Sequence, residues 1–328
     1  MKKILPVLVF MLLIFQSGYS QSIEPPGKPI TEIFTDFHLN INDTAYTGFS
    51  LNRAYLGYQF VPGDKFTGKI ILNVGSPEDL APGSTPHRYS FFREVSLTWS
   101  DGKFSVTGGI TGTRMFQYQQ TFWGKRYIAN TYQSLNGYGL VADLGLVVEY
   151  KFSDIVSADY TLMNGEGYAN IQLDNNLKNS LGITITPDSH LAIRIYDDII
   201  RKEGVWQDLL IAFVGFKNDL FTIGSEISYK SNIDLTRGHN LWGVSSTGGV
   251  NITKKTELFM RYDYAASVRL TGDLYPWNYL NDGSFIIAGF QFTLSPNVKI
   301  AFDYQGKHPY ESGAKERGLI FVNALFKF

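Results

Sequence analysis

Cysteine is missing from the 328 residues, so disulfide scaffolds, thiolate metal centres and cysteine nucleophiles are excluded. Charge is scarce as well. Asp, Glu, Lys and Arg make up 18% of the chain, below the usual quarter or so of a soluble domain, and cover a large water-facing surface poorly. No basic excess exists: 29 basic residues stand against 30 acidic ones, which argues against nucleic acid as a partner. Long apolar runs are lacking after the first twenty residues, which removes a bundle of membrane helices. Aromatics, by contrast, reach 15% and glycines number 32, a composition of strands and tight turns and not of a disordered chain.

The amino terminus reads as an export signal. Lys2 and Lys3 precede the apolar run Ile4 to Phe15, and the small residues Gly18 and Ser20 precede a cleavage point before Gln21. That run is too short to span a hydrocarbon core of about 30 Å as a helix. Residues 1–20 are therefore expected to be a signal peptide. Residues 21–30, with Pro25, Pro26 and Pro29, read as an extended periplasmic leader, and residues 31–328 as one further domain.

Apolar residues in that domain recur at every second position. Ile320, Val322, Ala324, Phe326 and Phe328 share one face, with Asn323 and Lys327 on the other. Leu258, Met260, Tyr262 and Tyr264 oppose Glu257, Arg261 and Asp263; Val298, Ile300, Phe302 and Tyr304 oppose Lys299, Asp303 and Gln305. Helical spacing fits none of these segments. Reading by period predicts strands at 31–42, 50–60, 66–75, 91–99, 103–113, 139–152, 155–163 and 177–187. Eight more follow at 189–198, 206–217, 219–230, 241–252, 256–267, 282–294, 297–305 and 317–328, sixteen in all. Strand 206–217 has no assignable register, because Leu209 to Val214 is apolar at every position.

Short and long connections alternate. Val61–Lys65, Ser100–Gly102, Thr253–Lys255 and Ser295–Pro296 are short, while Ser76–Ser90, Arg114–Tyr138, Val268–Asn281 and Gly306–Glu316 are long. Tight turns at one rim and long loops at the other describe an all-β, transmembrane antiparallel barrel of the bacterial outer membrane. An even strand count places both termini at the short-turn, periplasmic rim. Tyr58, Phe60, Trp99, Tyr150, Phe152 and Phe216 lie beside short turns, where an aromatic girdle meets the lipid headgroups. A barrel of this size holds a wet interior. In the predicted register the inward face carries Arg53, Lys69, Lys103, Asp159, Arg194, Glu226, Glu257, Arg261, Asp263, Lys299 and Asp303.

A long third loop, then the strand Gly139 to Phe152 with Asp143 and Gly145, then YTLMNGEGY from Tyr160 to Tyr168, resembles the phosphate-selective porin O and P family. The likeness covers most of the mature chain, and its sharpest piece is the turn Asn164-Gly165-Glu166-Gly167. The resemblance implies a sixteen-stranded general or anion-preferring porin, often a homotrimer, with the third loop folded into the lumen. It implies outer-membrane lipid and small anions or hydrophilic solutes as partners, and no cofactor.

From Arg114 to Ala142 the charged residues are Arg114, Lys125 and Arg126, with no carboxylate, interleaved with Phe116, Tyr118, Phe122, Trp123 and Tyr127. Such a loop either bends inward and presents its cations to passing anions, or caps the barrel from outside or touches a neighbouring subunit. The mixed signs on the inward face, Arg261 beside Asp263 among them, predict mutual counter-charges and weak selectivity instead of a phosphate ladder. No G-x-S-x-G, H-E-x-x-H, P-loop or EF-hand string accompanies His38, His87, His190, His239 and His308. The expectation is a channel and not an enzyme, without metal or cofactor. A barrel lipase or protease, or a channel for a specific hydrophobic solute, is the competing reading.

Overall fold

A computed structural model describes residues 27–42, 47–75, 89–310 and 316–328. The expected signal peptide and residues 21–26 of the leader lie outside them, as does His87. The strands are β1 (Gly27–Asn40), β2 (Gly48–Gly63), β3 (Phe66–Gly75), β4 (Tyr89–Asp101), β5 (Phe104–Gly112) and β6 (Ala142–Lys151). Next come β7 (Val156–Met163), β8 (Lys178–Ile185), β9 (Leu191–Lys202), β10 (Val205–Lys217) and β11 (Phe221–Ser231). The series ends with β12 (Leu241–Asn251), β13 (Thr256–Ser267), β14 (Gly283–Ser295), β15 (Val298–Pro309) and β16 (Arg317–Lys327). Each pairs antiparallel with its sequence neighbours, and β1 also pairs with β16, so the sheet closes into a barrel. Closure removes the open edges that hydrocarbon does not tolerate.

Alternation along the strands separates two environments. In β13 Leu258, Met260 and Tyr262 point out and are exposed, whereas Phe259, Arg261 and Asp263 point in and are buried. The polarity is inverted relative to a water-soluble protein, with charge inside and aliphatic surface outside. No helix among the described residues is long and apolar enough to cross a membrane.

β1 begins at Gly27, inside the segment expected to be leader, and pairs with β2 from Gly27 opposite Phe60. Its pairing with β16 starts only at Glu32, so Pro29 lies where one flank carries no ladder and its missing N–H costs nothing. β9 and β10 also run further than the period predicts. They meet in a two-residue turn, Glu203 at φ 49° and Gly204 at φ 78°, the double left-handed geometry that matches strand twist. The start of β1 and the end of β16 sit at the short-turn rim, where the Phe328 amide donates to the Thr31 carbonyl at 3.1 Å. Aromatic rings cluster along that rim. Trp99 meets Phe104 at 6.0 Å, Phe104 meets Tyr150 at 6.4 Å, and Tyr150 meets Phe152 at 4.9 Å between centroids.

Candidate functional site

The third loop leaves β5 after Gly112 and returns to β6 at Ala142, carrying two short helices, α1 (Gln117–Trp123) and α2 (Tyr132–Leu135). Its apolar side chains find two patches of inner wall. Met115, Phe116, Tyr132 and Tyr138 pack against Tyr196, Leu209, Ile211, Leu241 and Ala265. Trp123, Tyr127 and Ile128 pack against Phe34, Tyr55, Phe259, Ile287, Ala301 and Leu325. The loop therefore crosses the lumen. It also explains β10, whose inward Leu209, Ile211 and Phe213 lie beneath the loop while Leu210 and Val214 face out.

Polar anchors complete the attachment. The Arg261 guanidinium donates to the Asn130 carbonyl and makes a bidentate pair with Asp263 at 2.8 and 2.6 Å. The Tyr127 hydroxyl donates to Gln291 at 2.9 Å, and Gln305 donates to the Ile128 carbonyl at 3.3 Å. Gln133 donates to Glu226. The bonds to Asn130, Gln291, Ile128 and Gln133 each join a loop group to a buried wall group, so polar atoms enclosed between loop and wall are satisfied.

Lys125, expected to face passing solutes, does not. It is buried against the far wall, where its ammonium contacts Glu257 and lies over the Phe259 ring. Burial pushes that ammonium below its ordinary value and Glu257 opposes the shift. Arg114 is spent in a bidentate pair with Glu149, both contacts 2.9 Å, and on the Gly112 carbonyl. Arg126 alone of the three keeps an uncompensated charge. It donates to Gln120 at 3.1 Å, forms no ion pair among the described residues, and has a second amino group buried without a partner. Burial pushes its guanidinium down to about 10, helped by Arg53 and Arg93 and resisted by Tyr55, so it stays cationic at neutral pH.

Arg53 donates to the Tyr55 hydroxyl at 3.1 Å and to the Asn130 side chain at 3.3 Å. Arg93 was not anticipated. Pairing of β3 with β4 passes from Ile71–Glu94 to Leu72–Phe92 and skips Arg93, a one-residue bulge that reverses parity. Strict alternation would send Phe92 inward, yet it is exposed, and Arg93 instead donates to the Val141 carbonyl at 3.2 Å and lies over the Tyr168 ring. The signal was present as two non-alternating charges, Arg93 and Glu94, in one strand.

The other inward charges are largely matched. Arg194 pairs with Asp159 at 2.7 Å, Lys178 with Asp198 at 2.8 Å and Lys69 with Glu94 at 3.7 Å. Asp303 accepts from Gln305 at 2.9 Å and from Asn323 at 2.7 Å, and Lys299 shares its strand face. Lys103 stands at the short-turn rim and donates to the Phe152 carbonyl at 3.3 Å.

Of the cavities that flank the loop, two stand out by volume. One of about 450 Å³ on the long-loop side is lined by Arg53, Asn130, Leu140, Glu166 and Tyr168. The other, about 320 Å³ on the short-turn side, is lined by Lys103, Arg114, Glu149, Lys151 and Arg194. The Asn164–Gly167 turn is clamped beside the first. Asp143 accepts the backbone amides of Gly165 at 2.5 Å and Gly167 at 3.2 Å, both at positive φ, 98° and 90°, where a side chain would strain the backbone.

The four described histidines do not converge. His38 contacts Asp36 at 2.8 Å, His239 stacks on Trp277 at 4.6 Å, and His190 and His308 lie apart at opposite rims. Among the described residues no three His, Asp or Glu side chains are grouped to hold a metal ion.

The architecture defined by these observations is a closed sixteen-stranded antiparallel barrel with a charged lumen and its third loop folded inward. Neither a family model nor a curated protein sequence matches the chain. Solved structures do. The chain is similar to Salmonella typhi OmpF in complex with daunomycin, with a TM-score of 0.65 and 11% identity over 92% of this chain and 97% of that one. It is similar to an anion-selective porin from Comamonas acidovorans, TM-score 0.62, 10% identity, over 92% and 99% of the two chains. It is also similar to in-vitro folded OmpT, an outer membrane protein of Vibrio cholerae, in trimer form, TM-score 0.62, 13% identity, over 92% and 99%.

Proposed function

We propose that this chain is an outer-membrane porin, a passive diffusion pore for small hydrophilic solutes with weak anion preference. One observation supports the reading: the third loop crosses a charged lumen and, among the described residues, Arg93 and Arg126 have no carboxylate partner and stand beside Arg53. Solutes pass between the loop and the wall of β2–β4. There a positive potential in a narrow, partly desolvated space lowers the barrier for anions relative to cations.

The preference is weak because elsewhere cations stand beside carboxylates, at Arg114–Glu149, Arg194–Asp159, Lys125–Glu257 and Arg261–Asp263. Such pairs shape a transverse field but do not strip a multiply charged anion of its water. The likeness to the phosphate-selective O and P family is accordingly read as one of architecture and not of solute. The pore assembles as a homotrimer in this reading, as the Vibrio cholerae neighbour does in its trimer form. It performs no catalysis.

Reversal potentials across a planar bilayer under a salt gradient test this. The Arg93→Glu/Arg126→Glu variant should move the reversal potential toward cation preference, and an unchanged potential overturns the proposed filter. Purified protein should turn over neither lipid nor peptide substrates.

A further inference from the structure

The fourth long loop, residues 164–177, also folds into the mouth of the barrel. Beyond the Asn164–Gly167 turn held by Asp143, the Tyr168 amide donates to the Ala142 carbonyl at 3.1 Å, and the Tyr168 hydroxyl accepts from the Asn73 side chain of β3 at 3.4 Å. The Arg93 guanidinium lies 5.6 Å over the same ring. Asn170 fixes the turn from its other end, its amide donating to the Gly167 carbonyl at 3.0 Å and its side chain to the Glu166 carbonyl at 2.7 Å. A segment that leaves the wall at β7 and reaches β3 is a second inward loop. The cavity of about 450 Å³ lies between it and the third loop.

That cavity is bipolar. Arg53 enters it from β2, with its guanidinium held by the Tyr55 hydroxyl and the Asn130 side chain. Glu166 enters it from the fourth loop. Its carboxylate forms no ion pair among the described residues, neither with Arg53 of the same cavity nor with Lys202, which pairs with Asp174 at 2.8 Å. Elsewhere in the lumen opposite charges close on each other, as Arg114–Glu149 and Arg194–Asp159 do. Here one of each sign lines the same space without contact, and a solute fits between them. Phe91, Leu140 and Tyr168 add apolar surface to the walls. The volume falls within the roughly 300–1,000 Å³ of small-molecule sites.

The two signs together reject most simple ions. An anion drawn to Arg53 is repelled by Glu166, and an amine drawn to Glu166 is repelled by Arg53 and by the Arg93 guanidinium against Tyr168. A solute that carries both charges satisfies both walls.

We infer that this cavity is a subsite for zwitterionic amino acids. The solute's carboxylate meets Arg53 and the Asn130 side-chain N–H, since the Asn130 oxygen already accepts from Arg53. Its ammonium meets Glu166, and its side chain lies on Phe91, Leu140 and Tyr168. Binding is weak, with one charged contact at each end of a space open to water, so the solute rests before the third loop and leaves again. The inference rests on the porin reading and names a solute class that the pore serves.

The full-length protein in a planar bilayer tests it, with L-phenylalanine as the probe and its two halves, 3-phenylpropionate and phenethylamine, as controls. L-phenylalanine should reduce the wild-type open-channel current saturably, and at a lower concentration than either control. Glu166→Gln should raise the half-blocking concentration of phenylalanine about tenfold, the loss of one charged contact, without raising that of 3-phenylpropionate. Glu166→Lys should reverse the order, 3-phenylpropionate then blocking better than phenylalanine. The turn is held through the backbone amides of Gly165 and Gly167, so both variants retain it, and discrete conductance steps report that each barrel is intact. A wild-type current untouched by phenylalanine, equal block by all three compounds, or a block that Glu166→Gln leaves unchanged overturns the subsite and leaves the porin standing. A silent wild-type bilayer overturns the porin reading and the subsite with it.

Discussion

Lys125 and Glu257 show how a single side chain decides between gate and strut. They are separated by 132 residues in sequence and joined at the inner wall. Lys125→Met leaves the Glu257 carboxylate half-buried without its counter-ion, a loss of about 3–5 kcal/mol for a buried pair broken on one side. The prediction is a lower denaturant midpoint for unfolding from lipid vesicles. The double variant Lys125→Met/Glu257→Leu should recover most of the loss, because two apolar groups replace the pair without leaving a charge. A single variant with the wild-type midpoint would show that the pair contributes nothing, and a double variant no better than the single would show that the stranded carboxylate is not the cause of the loss. Arg126 belongs to the other class: it forms no ion pair among the described residues, so under the proposed function its replacement should act on selectivity.

At the scale of elements, β10 is a strand between two apolar media. Leu209 is buried under the third loop and Leu210 is exposed on the outside. Leu209→Ala should cost about 2–5 kcal/mol and loosen the loop, seen as a larger and noisier single-channel conductance. Leu210→Ala should cost less and leave conductance as it was. Asp143 is a second element-scale part, since it holds the Asn164–Gly167 turn through two amides. Asp143→Ala should strip hydrogen-exchange protection from Gly165 and Gly167 and cost about 1–3 kcal/mol while the barrel persists. Further along that loop, Lys202 and the Asn176 amide hold the Asp174 carboxyl down to about 2. A depressed carboxyl keeps its contribution above its unfolded value and loses it as pH falls through the folded one. The Asp174–Lys202 tie should therefore persist at pH 4 and release only near pH 2, read from the Asp174 carboxyl resonance.

These elements also show what the sequence made legible. Sixteen strands and the alternation of rims follow from a period of two punctuated by turns, a local signal that needs no knowledge of the partner strand. The register of β10 was not legible, because apolar residues on both faces record contact with lipid and loop alike. The end of β9 was missed since Ile199, Ile200, Arg201 and Lys202 do not alternate in polarity. Arg93 was hidden by a bulge, which changes parity without changing composition. The orientation of Lys125 depends on a carboxylate supplied by the opposite wall, and no local pattern reports that distance.

For the whole molecule, the fold separates its tasks by surface. The outward side chains of β2–β4 are apolar and exposed, and the inward ones of the barrel bind a loop that crosses the lumen. Most inward charge among the described residues is paired, which suits the proposed diffusion pore, since a channel must release what it admits. Ionic strength should matter accordingly. The preference generated by Arg93 and Arg126 should weaken as the Debye length contracts from about 10 Å at 0.1 M to about 3 Å at 1 M salt.

The most direct test is the current through the purified wild-type protein in a planar bilayer under a potassium chloride gradient. Discrete conductance steps, a reversal potential of the sign for chloride over potassium, and no saturation by micromolar phosphate are predicted. A bilayer that stays silent, or a channel that prefers potassium, contradicts the account.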